Sequence, residues 1–207
     1  MTPEELAAAI EMEKGGTISE YLDDMIETGF IAKDTTWNLA KSKESNLLKY
    51  RLKDNYIRFY LKYIEPNRTQ IEKNRIKVPP AWSSIMGIQF ENLVLNNSHF
   101  IHNHLGIQPG DIVYDNPYFQ RPTNTHTGCQ IDYLIQDKFN TLYICEIKFS
   151  KEPVGSGIIQ EIKEKIKALH YLKHFSFRPI LIHVNGVKES VLESGFFAKI
   201  IDFGDFL

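Results

Sequence analysis

The sequence predicts an α/β protein in which a small helical unit precedes a larger mixed unit. Two short apolar runs, at 129–135 and 142–149, are rich in Ile, Tyr and Phe and are bounded by polar turn residues. Runs of this length and composition are typical of strands. The 207 residues are enough for one large domain or two small ones. The order expected for the larger unit is α-β-β-β-α-β, with a helix at 83–96, strands near 112–119, 129–135 and 142–149, a helix at 157–172 and a strand at 179–184.

The first residues carry the signature of a helix N-terminus. Thr2 suits the N-cap, Pro3 the first helical position and Glu5 the third. This helix is expected to run to about Met12. A second amphipathic helix is expected at 18–28, and it carries four acidic residues and no basic one. Such a helix is poorly suited to contact DNA phosphates.

The next segments predict a hairpin and a link to the larger unit. Strands are expected at 30–33 and 47–52, around a polar tip at 41–46. Two helices and a hairpin are most of a winged helix-turn-helix domain, and the usual first helix is missing. That absence predicts that the chain begins inside the domain, as a piece cut from a longer protein would. The division expected is a partial winged-helix domain with a linking helix at 1–64, a linker at 65–80 and the larger domain at 81–207.

Charge is unevenly distributed along the chain, although the net charge is only −2. Residues 1–30 have eight acids and one base, whereas residues 31–80 have twelve bases and five acids. A contact with a polyanion is therefore expected outside the acidic helix. The alternative for these bases is an ordinary solvated surface. The candidate DNA-contacting residues are Lys41 and Lys43 in the wing, Arg51 at the start of the expected linking helix, and Arg121 in the polar loop 121–128.

Composition excludes several classes of protein. No stretch approaches eighteen apolar residues, and the first residues lack the basic and apolar regions of a signal peptide. No contact with a membrane is expected. Cys129 and Cys145 provide neither a disulfide framework nor a zinc set, so we expect a reducing, cytoplasmic location. No Gly-x-x-x-x-Gly-Lys-[Ser/Thr] motif occurs, and therefore we expect no nucleotide site in this chain.

The most informative residues lie in the two apolar runs. Asp132 lies in the first run, and Glu146 and Lys148 lie in the second. Since side chains alternate along a strand, Glu146 and Lys148 are expected on one face, with Cys145 and Ile147 on the other. Buried carboxylates and ammonium groups are rare unless they are paired or bind a metal. If the strands pair, these groups converge as metal-assisted phosphodiester hydrolysis requires.

The pattern Asp132, Glu146-x-Lys148 in this order of elements resembles the core of the PD-(D/E)XK nuclease superfamily, except that Ile131 replaces the Pro of the pattern. The resemblance covers about 80–205 and implies a restriction-endonuclease-like fold. It also implies that Asp132 and Glu146 bind Mg²⁺ or Mn²⁺. Lys148 would then orient the attacking water or help to deprotonate it, and would stabilise the developing charge.

Two helical residues match the superfamily more loosely. Glu91 lies on the opening helix, where a glutamate of the superfamily often serves as a third acidic metal ligand. Gln160 lies on the helix after Lys148, where some members have a polar site residue, and the alternative is an exposed helical glutamine. Outside these matches, Lys163, Lys165 and Lys167 are expected to be mostly solvated.

The segment 50–64 resembles the helix that joins a winged-helix domain to a nuclease-like domain in the C-terminal half of archaeal-type AAA+ ATPases. This resemblance implies an AAA+ ATPase domain that is fused upstream or acts in trans, with DNA as a further partner.

Three functions are compatible with the sequence. The first is a metal-dependent DNA endonuclease. The second is a catalytically inactive nuclease fold that binds DNA or regulates an ATPase. The third is a protein-interaction module in which the acidic helix pair binds a partner. A zinc site at His99, His102 and His104 is a weaker candidate, because no nearby Cys or suitably spaced Glu completes it.

Overall fold

The computed structural model describes residues 1–11, 16–39, 41–75, 81–124, 127–169 and 173–206. Within this part of the chain, the larger unit is built on a five-stranded mixed sheet. In sheet order its strands are β3 Ile112–Gln120, β4 Cys129–Asp137, β5 Thr141–Phe149, β6 Ser176–Val184 and β7 Lys199–Asp202. The β3, β4 and β5 strands are antiparallel to one another, and β6 and β7 run parallel to β5.

Helices cover both faces of this sheet. On one face α5 (Trp82–Asn96) and α6 (Ser98–Leu105) pack Phe90, Val94 and Ile101 against the sheet. On the other face α7 (Gly157–Ala168) packs Ile158 and Ile162. Each large aliphatic or aromatic side chain buried in this way contributes about 1.5–3 kcal/mol. The sheet is therefore the central layer of a three-layer unit, as its nearly continuous apolar strands predict.

The predicted α-β-β-β-α-β order is found, with three additional elements. The α6 helix follows α5 directly and ends at Gly106, which has φ +69° and closes the helix in the left-handed conformation that glycine favours. The β7 strand adds a fifth strand beside β6, and a short helix, α8 (Glu189–Leu192), precedes it. The predicted end of α7 near residue 172 lies outside the described residues.

The N-terminal unit has two helices, α1 (Pro3–Ala9) and α2 (Gly16–Glu27). The Thr2 hydroxyl accepts a hydrogen bond from the Glu5 backbone, and the Glu5 carboxylate accepts one from the Thr2 backbone, which confirms the predicted cap. The α1 helix ends before the predicted boundary, which at Met12 lies outside the described residues.

The hairpin that follows is longer than the sequence predicts. Its strands are β1 (Ile31–Asn38) and β2 (Lys43–Leu52), so that most of the expected polar tip belongs to β2. Polar side chains alone are a poor guide here, because an exposed strand accepts them once its backbone is paired. Trp37 anchors the hairpin to the larger unit, where its indole stacks on Tyr114 and donates a hydrogen bond of 2.7 Å to Gln136.

The linking segment differs from the single helix expected at 50–64. Its first three residues end β2, and the α3 helix (Asn55–Phe59) begins after Asp54, whose carboxylate accepts a hydrogen bond from the Ile57 backbone. A π-helical turn, a 3₁₀ turn and α4 (Arg68–Glu72) continue it. Pro66 does not end the helical segment, because it lies in a first turn where no hydrogen bond from its nitrogen is needed. The expected linker is thus helical to Glu72, and residues 76–80 lie outside the described residues.

Among the described helices, none is long and apolar enough to cross a membrane.

Candidate active site

A β-bulge positions Asp132. Asn116 pairs with Leu134 and Tyr118 pairs with Ile131, so that two residues of β4 oppose Pro117 alone on β3. A proline cannot donate a hydrogen bond to the sheet and is tolerated at such an irregularity. Bulges re-aim side chains and are frequent near active sites. The two consecutive β4 residues that oppose Pro117 are Asp132 and Tyr133.

The β4 and β5 strands stop pairing beside Asp132. The last backbone pair in this direction joins Tyr133 to Cys145. Beyond this pair, the Asp132 side chain takes the place of a backbone carbonyl as acceptor. Its Oδ2 accepts a hydrogen bond of 2.9 Å from the Ile147 backbone nitrogen. The carboxylate is thereby held at the point where the two strands separate, next to Glu146.

Glu146 and Lys148 share a face of β5, as the alternation predicts. Cys145 and Ile147 belong to the core on the α5 side, whereas Glu146 and Lys148 contact side chains of α7. The Glu146 side chain is only 2% exposed, and its Oε1 lies 3.0 Å from Lys148 Nζ. A carboxylate so deeply buried requires partners of opposite charge.

Two residues of α7 complete the cluster. Lys165 Nζ lies 2.5 Å from Glu146 Oε2 and 3.9 Å from Asp132 Oδ1. Glu161 Oε2 lies 3.0 Å from Lys148 Nζ. We define the acidic cluster as Asp132, Glu146, Lys148, Glu161 and Lys165.

Sequence reasoning missed Lys165 and Glu161. Lys165 was expected to be solvated, yet its side chain is only 25% exposed. A signal was available, because Ile158, Ile162 and Lys165 follow one another at helical spacing on the buried stripe of α7. A lysine that continues a buried stripe needs a buried anion, and Glu146 provides it.

Burial and mutual repulsion raise the pKa values of two carboxyl groups. Burial, followed by the charge of Glu146, raises the pKa of Asp132 to about 6, although Lys165 opposes the shift. Burial, followed by the charge of Asp132, raises the pKa of Glu91 to about 7, although Arg51 and Arg58 lower it. Glu91 therefore lies within electrostatic reach of the acidic cluster, from the helix on the opposite face of the sheet.

The pKa of Lys148 is raised, whereas burial alone would lower the pKa of an isolated amine. Burial lowers the pKa, but Glu146 and Glu161 raise it by more, and the result lies above the usual value for lysine. Lys148 therefore carries a positive charge at neutral pH and can act through that charge.

The donor set suits a hard divalent cation. Within the described residues, no three His, Cys, Asp or Glu side chains are already arranged around one point. Mg²⁺, however, commonly binds through only one or two carboxylates and keeps several waters. Asp132 and Glu146 offer two such carboxylates. The Lys165 ammonium group contacts both, so these two carboxylates already bind one cation together. The residues present therefore fit Mg²⁺ or Mn²⁺.

The other predicted site residues are not part of this cluster. Gln160 is exposed and donates a hydrogen bond to Glu164. Arg51 makes two hydrogen bonds to the buried Asp34, at 2.9 and 3.1 Å, and a third to Asn92. Its guanidinium group is thus committed inside the protein. Of the remaining candidates for contact with DNA, Lys41, Lys43 and Arg121 are all exposed.

The three histidines do not gather into one site. His99 and His104 are exposed, whereas the His102 ring lies 2.6 Å from the Tyr133 hydroxyl, which donates a hydrogen bond to Asp115. This arrangement ties α6 to β3 and β4.

A cavity of about 700 Å³ adjoins Glu91. It lies between the N-terminal helices, the hairpin and the rim of the larger sheet, and its walls are mostly apolar. Its polar lining consists of Asp34, Lys49, Arg51, Arg58, Glu91 and Gln130.

Comparisons with known proteins found partial similarities. No family model matches the chain. A stretch of 83 residues is 31% identical to a Methanocaldococcus jannaschii protein described as "Uncharacterized protein MJECL04", and covers 39% of this chain and 18% of that protein. A solved structure of a repair endonuclease from Pyrococcus abyssi is similar over 54% of this chain and 46% of its own, with 15% identity and a TM-score of 0.35. The matched region spans less than half the length of each of these proteins.

Proposed function

We propose that this chain is a metal-dependent nuclease domain that hydrolyses phosphodiester bonds in DNA. The observation that carries the proposal is the meeting of Asp132, Glu146 and Lys148 where β4 and β5 separate, with Glu91 within electrostatic reach. Perturbed carboxyl pKa values in such a group are typical of functional sites.

In this proposal each side chain has a distinct role. Asp132 and Glu146 hold the divalent ion, and Glu91 acts directly or through a water. The bound ion would supply electrostatic stabilisation of the phosphate charge. Lys148 orients the attacking water and stabilises negative charge as the phosphorus–oxygen bond breaks. Its raised pKa favours this electrostatic role over removal of the water's proton.

The larger protein context is also a proposal. The chain is taken as part of, or derived from, an AAA+ ATPase. The N-terminal helices and hairpin are taken as part of a winged-helix domain. The support is the element order of residues 1–64, with two helices followed by a hairpin and a helical link. Co-purification of the natural protein with an ATP-hydrolysing activity, fused or separate, would test this context.

A second candidate is a catalytically inactive nuclease fold that binds DNA or regulates a partner. One observation favours it: Lys148 and Lys165 already neutralise the buried carboxylates of the acidic cluster. A protein that uses the cluster only as an internal ion-pair network would need no metal.

Cleavage assays decide between the two candidates. Single-stranded, linear duplex and supercoiled DNA would be incubated with Mg²⁺ or Mn²⁺ and the wild type, Asp132→Asn, Lys148→Met or the control Lys138→Met. Lys138 is an exposed lysine in the turn between β4 and β5, and it pairs with Asp111 and not with a residue of the acidic cluster. The nuclease proposal predicts metal-dependent cleavage that Lys138→Met retains and that each cluster variant reduces by about 10²–10³-fold. Equal cleavage by all variants would assign the activity elsewhere, and DNA binding without cleavage would favour the second candidate.

A further inference from the structure

Lys165 contacts both carboxylates that the proposed function assigns to the metal. Its ammonium group lies 2.5 Å from Glu146 and 3.9 Å from Asp132. The second Glu146 oxygen faces Lys148. Within the described part of the chain, each oxygen of the Glu146 carboxylate is thus in ionic contact with a lysine, and the two lysines come from different elements, β5 and α7.

A lysine and a divalent ion compete for these oxygens. A carboxylate accepts several contacts, but two positive charges that share the same oxygens repel each other strongly in a buried site. Lys165 can leave, because its side chain is 25% exposed and its flexible stem allows the ammonium group to turn toward solvent. Once free, an ammonium group beside a DNA-binding site readily contacts a phosphate.

We propose that Lys165 is an internal counter-ion that holds the Asp132–Glu146 pair in the metal-free protein and moves to a substrate phosphate when the ion is bound. This inference rests on the proposed function. It makes Lys165 a positioning residue that couples the binding of the ion to the binding of nucleic acid. Because such coupling is reciprocal, DNA raises the affinity for the ion by the same factor by which the ion raises the affinity for DNA.

The structure offers a matched control on the same helix. Lys167 is 69% exposed and pairs with Glu164, away from Glu146. Lys165→Met and Lys167→Met remove the same charge from α7, but only the first removes the competing cation. Lys165→Arg keeps the charge and offers a fork suited to two carboxylate oxygens.

The test is a calorimetric titration of Mn²⁺ into these variants, with and without a short DNA whose phosphorothioate linkages resist hydrolysis. Without DNA, Lys165→Met should bind Mn²⁺ about tenfold more tightly than the wild type, which corresponds to one charge-assisted hydrogen bond. Lys167→Met should match the wild type, and Lys165→Arg should bind no more tightly. DNA should increase the Mn²⁺ affinity of the wild type more than that of Lys165→Met.

The outcomes separate this inference from the proposed function. Mn²⁺ binding that is lost in Asp132→Asn but unchanged or weakened in Lys165→Met would overturn the role of Lys165 and leave the metal site in place. No Mn²⁺ binding to any variant, with or without DNA, would overturn both. If Lys165→Met does not fold, Lys165→Arg still decides, since tighter Mn²⁺ binding by that variant contradicts the inference.

Discussion

The charge of Glu91 depends on pH near neutrality. Its pKa of about 7 lies above the usual 4.5, because burial and the neighbouring Asp132 disfavour the carboxylate. A carboxyl group whose pKa is raised by folding stabilises the folded protein at low pH. That contribution is lost as the pH rises from about 4.5 to about 7, so that the ionised group destabilises the fold above this range.

We therefore expect Glu91→Gln to stabilise the metal-free protein in a pH-dependent manner. At pH 8 in the presence of a chelator, the free energy of unfolding should rise by on the order of 2 kcal/mol, and at pH 4 it should barely change. Urea unfolding at several pH values measures this. The exposed Glu72→Gln is the control. The same stabilisation at pH 4 and pH 8 would show that the charge of Glu91 is not the cause.

Residues in the acidic cluster show where prediction from sequence succeeds and fails. Asp132, Glu146 and Lys148 were identifiable because charged residues interrupt strands that are otherwise apolar. Lys165 was not identified, since its partner lies nineteen residues earlier on another element. A helical lysine has the same local sequence whether it faces solvent or a buried glutamate.

At the scale of elements, the strands of the sheet were easier to predict than the hairpin. The β4 and β5 strands are apolar apart from a few polar and charged residues, and this composition identifies them as strands whatever their neighbours are. The polar residues of β2 do not identify it as a strand. It forms a strand because it pairs with β1, which Trp37 anchors to the larger sheet. The bulge at Asp132 also had no local signal beyond Pro117 on the opposite strand.

Trp37 is expected to couple the hairpin to the larger sheet energetically. In Trp37→Phe the buried Gln136 loses the donor for its side-chain oxygen, and the free energy of unfolding should fall by about 1–3 kcal/mol. Urea unfolding measures the loss. Trp82→Phe, at a partly exposed tryptophan, serves as the control. A loss no larger than that of the control would mean that the contact is energetically neutral.

At the scale of the whole molecule, the predicted boundary between two domains is crossed by strong contacts. Arg51 of the hairpin bonds Asn92 of α5, and Trp37 bonds Gln136 of β4. The positive charge of Arg51 also limits the rise in the pKa of Glu91, so the N-terminal unit acts electrostatically on the candidate active site. Sequence composition could indicate the two units but not these contacts, because they join residues 41 and 99 positions apart.

The exposed bases of the hairpin are expected to contact DNA phosphates. Changing Lys41 and Lys43 together to Glu should weaken DNA binding and reduce the salt dependence of the affinity by about two counterions. Fluorescence anisotropy with labelled DNA at several salt concentrations measures both. Lys173→Glu with Lys199→Glu makes the same change in net charge at two other exposed lysines. An equal effect of both pairs would indicate attraction by net charge alone.

The central claim is that Asp132 and Glu146 form a site for a divalent ion. Its most direct test is a calorimetric titration of Mn²⁺ into the wild type and Asp132→Ala, in the presence of the phosphorothioate DNA. We predict saturable binding of one ion or more to the wild type and its loss in Asp132→Ala, with both proteins folded by circular dichroism. Undiminished binding in Asp132→Ala would contradict the claim by showing that the ion binds elsewhere. No binding to the wild type would also contradict it, and would favour the second candidate function, a fold retained for binding or regulation.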